Sequence, residues 1–121
     1  MNLDIPETIP KSLYKAALYL YEIITGKRNL KEFEVDKLIK VMEAIGFDWA
    51  EPTGSEILFR LKINDEIIIA KMHKIHGRAK RVAKSPYLKS KGSPFNKVLI
   101  HYGFDIKEIL EKIIKNYKKE V

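Results

Sequence analysis

The feature that most constrains the fold is a two-residue alternation of apolar and polar side chains that starts at Ile57. The alternation is interrupted at Asn64-Asp65, a dipeptide suited to a tight turn, and a second extended segment runs from Glu66 to Ile75. Two such segments joined by a two-residue turn predict a β-hairpin with one buried face. The apolar side of the first strand comprises Ile57, Phe59, Leu61 and Ile63. A chain built around this hairpin must cover one face of an antiparallel sheet.

Helical periodicity flanks the hairpin on both sides. Two helices are predicted over residues 10–25 and 30–45, and Gly26 and Gly46 end them. A third is predicted from Pro94 to about Tyr102. A fourth begins at Asp105, where Glu108 completes an acidic capping box. Phe47 to Ala50, followed by the turn-like residues 51–55, supplies a third strand. The predicted fold class is therefore α+β, with a three-stranded antiparallel sheet and helices packed on one face.

The length of 121 residues predicts a single domain. We expect residues 1–29 to form an N-terminal helical extension and residues 30–121 to form an α-β-β-β-α core. Residues 77–93 have no clear period and carry Gly77, Pro86 and many cations. A long basic loop is predicted there, and loops of this length are usually functional or fold on binding.

Composition narrows the class of protein. Cysteine is absent, which excludes disulfides and thiolate metal sites and is typical of a reducing interior. No segment reaches the roughly 18 apolar residues of a membrane span, and the start of the chain lacks the order of a signal peptide. We therefore expect a cytoplasmic protein without a membrane partner. Glutamine is also absent while Lys, Glu and Ile are abundant, a balance that indicates a thermophilic source.

Charge is distributed unevenly along the chain. From Ile67 to Phe104 there is no Asp or Glu, whereas there are nine Lys or Arg, against a net charge of +7 for the whole chain. The nine are Lys71, Lys74, Arg78, Lys80, Arg81, Lys84, Lys89, Lys91 and Lys97. Because phosphate backbones attract such clusters, we predict that they bind nucleic acid, RNA in preference to DNA. Tyr87, placed among them, is predicted to stack on a base. A purely solubilising surface would intersperse both signs of charge.

Several short strings, in their order along the chain, resemble the HicA family of toxin ribonucleases, small domains of the double-stranded-RNA-binding type. The strings are LIKVMEAIGF at 38–47, TGS at 53–55, IAKMH at 69–73, KGSPF at 91–95 and LIHYGF at 99–104. The resemblance implies an α-β-β-β-α core, metal-independent cleavage of RNA and a cognate antitoxin as a protein partner. The chain departs from the family pattern in three ways. Glu56 occupies the position at which the family has its catalytic histidine, directly after Gly-Ser. The basic loop is longer than in the family, and the first helix is an addition.

Three residues are candidates for catalysis if the chemistry is retained. Glu56 can act as a base, and His73 or His76 can replace the missing imidazole, with neighbouring cations stabilising the developing negative charge. Alternatively, both histidines are polar surface groups or phosphate donors. No cofactor is expected, and no metal site is predicted because three histidines without cysteine are a poor ligand set. The simpler interpretation is a binding platform that has lost the chemistry, and the alternative is a metal-independent endoribonuclease.

A third class of function is a protein-interaction module encoded by a virus or a mobile element, whose cationic face binds an acidic protein. In that case the first helix, with Tyr14, Tyr19 and Tyr21, is a candidate surface for a homodimer or another partner. The same tyrosines are otherwise expected to pack against the core.

Overall fold

The structure is a computed structural model that describes residues 5–119, which form five helices and five strands. The elements are α1 (Lys11–Ile24), β1 (Glu32–Glu34), α2 (Val35–Ala44), β2 (Asp48–Thr53), β3 (Glu56–Ile63), β4 (Glu66–His73), β5 (Val82–Lys84), α3 (Pro86–Lys89), α4 (Pro94–His101) and α5 (Ile106–Lys119). Strands β2, β3 and β4 form an antiparallel sheet in that order. The predicted α+β class and three-stranded sheet are confirmed.

The hairpin of β3 and β4 buries one face of this sheet. Its strands pair without interruption from Glu56 opposite His73 to Ile63 opposite Glu66. The buried face consists of Ile57, Phe59, Ile68, Ala70 and Met72, each almost fully inaccessible to solvent. Helix α4 packs against β4 on this face, where the ring of Phe95 meets that of Phe59 edge to face at 5.8 Å. The opposite face carries Arg60, Lys71 and other exposed side chains.

A second, two-stranded sheet pairs β1 with β5, and it corrects two predictions. The second helix begins at Val35 and not near residue 30, because residues 32–34 are extended and pair with residues 82–84. Residues 77–93 are not one irregular loop, because they include β5 and the single turn of α3. Phe33 and Ala83 lie opposite each other and are both buried, which explains why such short strands form.

Helix α1 contributes to the same hydrophobic core as the sheet. It packs against α2 and α5, and its Leu20 and Ile23 are fully buried. Tyr14 stacks on Tyr117 of α5 with ring centroids 4.1 Å apart. The hydroxyl of Tyr19 accepts a hydrogen bond from the backbone N–H of Glu34. Tyr21 is also partly buried against the core, so all three tyrosines that were candidates for a partner surface pack within the protein.

A buried polar cluster fixes the connection between α3 and α4. The amide of Asn96 donates to the carbonyls of Leu88 and Ser90, at 3.0 and 2.8 Å. Ser93 caps α4 by accepting from the Asn96 backbone N–H and donates its hydroxyl proton to the carbonyl of Tyr87. Both Ser93 and Asn96 are buried. Because buried polar groups cost free energy unless they are paired, these bonds fix the path of residues 87–96.

Candidate nucleic-acid interface

Four of the nine cations in the basic segment form ion pairs with carboxylates from earlier in the chain. The pairs are Lys74 with Glu51 at 2.8 Å, Arg78 with Glu32 at 3.1 Å, Lys80 with Glu34 at 3.2 Å, and Arg81 with Asp36 at 3.1 Å and with Glu51. The positive charge of residues 74–81 is therefore largely balanced in space. The expectation that all nine cations face a ligand is revised accordingly.

The β1–β5 ribbon explains these pairs. In the extended strand β1, Glu32 and Glu34 project to the same side, and Asp36 follows in the first turn of α2. The backbone N–H of Val35 donates to the carbonyl of Arg81 at 2.9 Å, which holds residues 78–81 beside the three carboxylates. The carboxylates and the cations are about 45 residues apart in the sequence, and the pairing of β1 with β5 makes them neighbours.

Glu51 is the centre of the most enclosed of these pairs. Its side chain is 21% exposed, as is that of Lys74. Hydrogen bonds from Lys74 and then from Arg81 hold the pKa of Glu51 below its ordinary value of 4.5. The hydrogen bond to Glu51 also raises the pKa of Arg81. These three residues are structural contacts between β2 and the segment that follows β4.

The other five cations have no carboxylate partner within residues 5–119. They are Lys71, Lys84, Lys89, Lys91 and Lys97. Lys84 lies on β5, Lys89 ends α3 and Lys91 follows it, so three of the five lie along one connection. Lys97 lies on the exposed side of α4, and Lys71 lies on the open face of the sheet. Because their charge is not balanced by a neighbouring carboxylate, these lysines are the cations of the basic segment that are available to bind an anion.

A groove of about 920 Å³ runs beside the β1–β5 ribbon and α3. It is lined by Lys31, Arg78, Lys84 and Lys89, by the single carboxylate Glu32, by the apolar residues Leu30, Ile75 and Pro86, and by Ser85 and Ser90. Four cations against one carboxylate leave a net charge of +3 on the lining. Ser85 donates to the carbonyl of Leu30 at 2.6 Å, which fixes one wall. Lys31 was not predicted as a site residue, because it lies outside the basic segment and joins the groove only through strand pairing.

The predicted stacking residue Tyr87 is engaged within the fold. It is half-buried, and its hydroxyl accepts a hydrogen bond from the backbone N–H of His73 at 3.2 Å. Phe95, which also lies among the cations of the basic segment, is fully buried under the sheet. Neither ring is presented on the surface as a platform for a base.

The structure brings Glu56 and His73 together but not His76. Glu56 and His73 are direct partners across β3 and β4. The next pair along the strands is hydrogen-bonded, since the N–H of Lys74 donates to the carbonyl of Ser55 at 2.8 Å. Glu56 and His73 are therefore a non-hydrogen-bonded pair, the kind in which side chains lie closest. His76 lines a separate recess of about 430 Å³ with Glu51, Arg81 and other residues.

Comparison with protein-family models, with curated proteins and with solved structures finds no match for this chain. Within residues 5–119 no cluster of three or more His, Asp or Glu side chains has the arrangement needed to hold a metal ion. In the same part of the chain, no helix combines the length and the apolar character needed to cross a membrane.

Proposed function

We propose that this protein is a small nucleic-acid-binding domain, with RNA preferred over DNA, and that the groove beside the β1–β5 ribbon is its phosphate-binding surface. The observation that carries the proposal is the cluster of Lys31, Lys84, Lys89 and Lys91. These side chains lack ion-pair partners within residues 5–119. Lys84, Lys89 and Lys91 follow one connection on the surface, and Lys31, which precedes β1, lines the groove together with Lys84 and Lys89. Lysine is a compact point charge that binds phosphate without fixing its orientation.

The expected mode of binding is electrostatic and tolerant of sequence. Each phosphate neutralised releases counterions, so affinity falls steeply with salt. The groove offers apolar surface from Leu30, Ile75 and Pro86 but no aromatic ring. It therefore supports contacts with the backbone and sugars more than readout of bases. The preference for RNA rests on the HicA-like strings, and a cytoplasmic location and a thermophilic source belong to the same proposal.

The test compares two triple variants that remove the same charge. Lys31→Ala, Lys84→Ala and Lys89→Ala together remove groove lysines, whereas Lys40→Ala, Lys112→Ala and Lys115→Ala remove exposed lysines of α2 and α5. Fluorescence anisotropy with single- and double-stranded RNA and DNA across a salt series gives affinity and slope. The groove variant should weaken binding and lower the salt slope for a single strand by about 2.

Equal losses in the two triple variants would contradict a localised site. Absence of binding to any of the four nucleic acids, combined with salt-sensitive binding to an acidic protein such as an antitoxin, would replace the proposal with a protein-interaction function. Retention of affinity in the groove variant would place the interface elsewhere on the protein.

A second candidate function is a HicA-like, metal-independent endoribonuclease, and the pairing of Glu56 with His73 favours it. One of the two takes the proton of a 2′-hydroxyl while that oxygen attacks phosphorus, and the other protonates the departing 5′-oxygen. Lys71 projects from the same sheet face two residues from His73 and can stabilise the negative charge of the transition state. In this candidate the groove lysines hold the substrate strand.

A further inference from the structure

The outer edge of β4 carries unpaired backbone groups. In the sheet order β2-β3-β4, strand β4 has β3 on one side only. The N–H of Lys74 points towards β3, where it donates to Ser55, whereas the N–H of His73 points away and donates to Tyr87. Because this direction alternates along a strand, the N–H groups of Ile67, Ile69 and Lys71 also point outward. Within residues 5–119 no acceptor is bound to them.

The side chains of this edge are unusually apolar for a solvent-facing position. Ile67 is 59% exposed and Ile69 is 40% exposed, and they account for two of the four large apolar side chains that are exposed in residues 5–119. Natural edge strands are normally protected by proline, by bulges or by several charged residues. Strand β4 has no proline, and its pairing with β3 shows no register shift. Its exposed charged side chains are Glu66 and Lys71, which flank the two isoleucines. A regular edge with exposed isoleucines between two opposite charges is a template for another strand.

We propose that two copies of this chain associate through their β4 edges, antiparallel and related by a two-fold axis at Ile68, to form one continuous six-stranded sheet. In this register Ile67 lies opposite Ile69 of the second copy. Asp65, in the turn that precedes β4, lies level with Lys71 of the second copy. The two-fold axis generates each contact twice. The dimer does not depend on the proposed nucleic-acid function, because it uses a surface that does not line the groove.

The side chains that face each other favour this register over the registers shifted by two residues. Residues with outward-facing backbone groups must pair with one another, so the alternatives are shifted by two residues. One shift places Ile67 opposite Lys71 of the second copy, and the other places Ile69 opposite Asp65. Only the central register pairs both isoleucines with isoleucines and an acidic residue with a basic one. Apolar β-branched pairs and opposite charges are the cross-strand pairs that stabilise sheets.

Sedimentation velocity of the full chain across a concentration series tests the dimer. The wild type should sediment at twice the 14.1 kDa mass of the chain at high concentration. Ile69→Glu should sediment as a monomer, since it places a carboxylate opposite the apolar Ile67 of the second copy at both symmetry-related positions. Ile100→Glu is the matched control, because Ile100 is 46% exposed but lines a recess between α4 and α5. A wild type that is monomeric throughout, or an Ile69→Glu variant that remains dimeric, would overturn the proposal.

Cysteine cross-linking tests the register, since the chain contains no cysteine of its own. Ile67→Cys combined with Ile69→Cys should give a disulfide-linked dimer on oxidation, because residues paired across strands meet the distance limits of a disulfide. Ile69→Cys alone should stay unlinked, since its partner position in the second copy is Ile67. Cross-linking of the single variant as efficient as that of the double variant would overturn this register.

Discussion

Arg81 lies over the indole ring of Trp49, with its guanidinium carbon 5.0 Å from the ring centroid. The same side chain donates hydrogen bonds to Glu51 of β2 and Asp36 of α2. One arginine thus joins the segment before β5 to the sheet and to a helix. Although it belongs to the basic segment, its contacts identify Arg81 as a structural residue.

Arg81→Ala should lower the free energy of unfolding by about 1–2 kcal/mol, because a cation–π contact and two ion pairs are lost together. Lys80→Ala removes one pair whose lysine side chain is 73% exposed, and it should cost no more than about 0.5 kcal/mol. Urea denaturation monitored by circular dichroism measures both. Equal effects of the two variants would show that the Arg81 contacts together stabilise the protein no more than one exposed ion pair does.

The stability of the protein should depend on the ionisation of Glu51. Lys74 and Arg81 lower the pKa of Glu51 in the folded state below its ordinary value of 4.5. A carboxyl group with a lowered pKa contributes stability above its unfolded value and loses it as the pH falls through the folded value. The difference in urea midpoint between wild type and Glu51→Gln should therefore be largest near neutral pH and shrink below about pH 4.5.

The matched control for this prediction is Glu43→Gln, a change of an exposed carboxylate on α2. The difference in urea midpoint between this variant and the wild type should be the same near neutral pH and below about pH 4.5. A difference between wild type and Glu51→Gln that stays constant from neutral to acid pH would contradict the role assigned to Glu51.

Asn96→Ala should destabilise the protein by about 2–3 kcal/mol, because the buried carbonyl of Leu88 and the partly buried carbonyl of Ser90 lose their donor. The comparison is Asn116→Ala, which removes one half-buried hydrogen bond to Pro6 and should cost about 0.5–1.5 kcal/mol. Thermal unfolding ranks the two variants. RNA affinity, measured well below the unfolding temperature, should fall for Asn96→Ala alone, because the connection that carries Lys89 and Lys91 loses its support.

If the domain cleaves RNA, His73→Ala and Glu56→Gln should each abolish cleavage of an end-labelled single strand in EDTA and leave retardation of uncut RNA nearly unchanged. His76→Ala should retain activity, because His76 lies in a recess that neither Glu56 nor His73 lines. Denaturing gels at elevated temperature provide the measurement. A cleavage ladder lost in His76→Ala but kept in His73→Ala would reject the pair on the sheet as the catalytic site.

Much of the fold follows from short-range pattern. The β3–β4 hairpin, helix α1 and helix α5 each repeat their apolar period several times, so their positions could be predicted with small errors at the ends. The β1–β5 ribbon could not, because each strand has only three residues and pairs with a distant segment. Residues 30–34 instead extended the helical pattern of α2, and the burial of Phe33 against Ala83 overrides that local preference.

The candidate site shows the same division. The sequence identifies all nine cations of the basic segment, but which of them are neutralised depends on Glu32, Glu34, Asp36 and Glu51. Those carboxylates become neighbours only through the ribbon and the edge of β2. Lys31 was missed for the same reason. The opposition of Glu56 and His73, in contrast, follows directly from the hairpin register, which the turn at Asn64-Asp65 determines.

The ion pairs of the ribbon also bear on how quickly the chain reaches this structure. Glu32 and Arg78, like Glu34 and Lys80, are 46 residues apart, so a loop of that length must close before the strands can pair. Opposite charges draw the two segments together in the unfolded chain over distances that added salt shortens. We therefore expect electrostatic attraction to assist the search for the β1–β5 pairing, and the folding rate to fall as ionic strength rises.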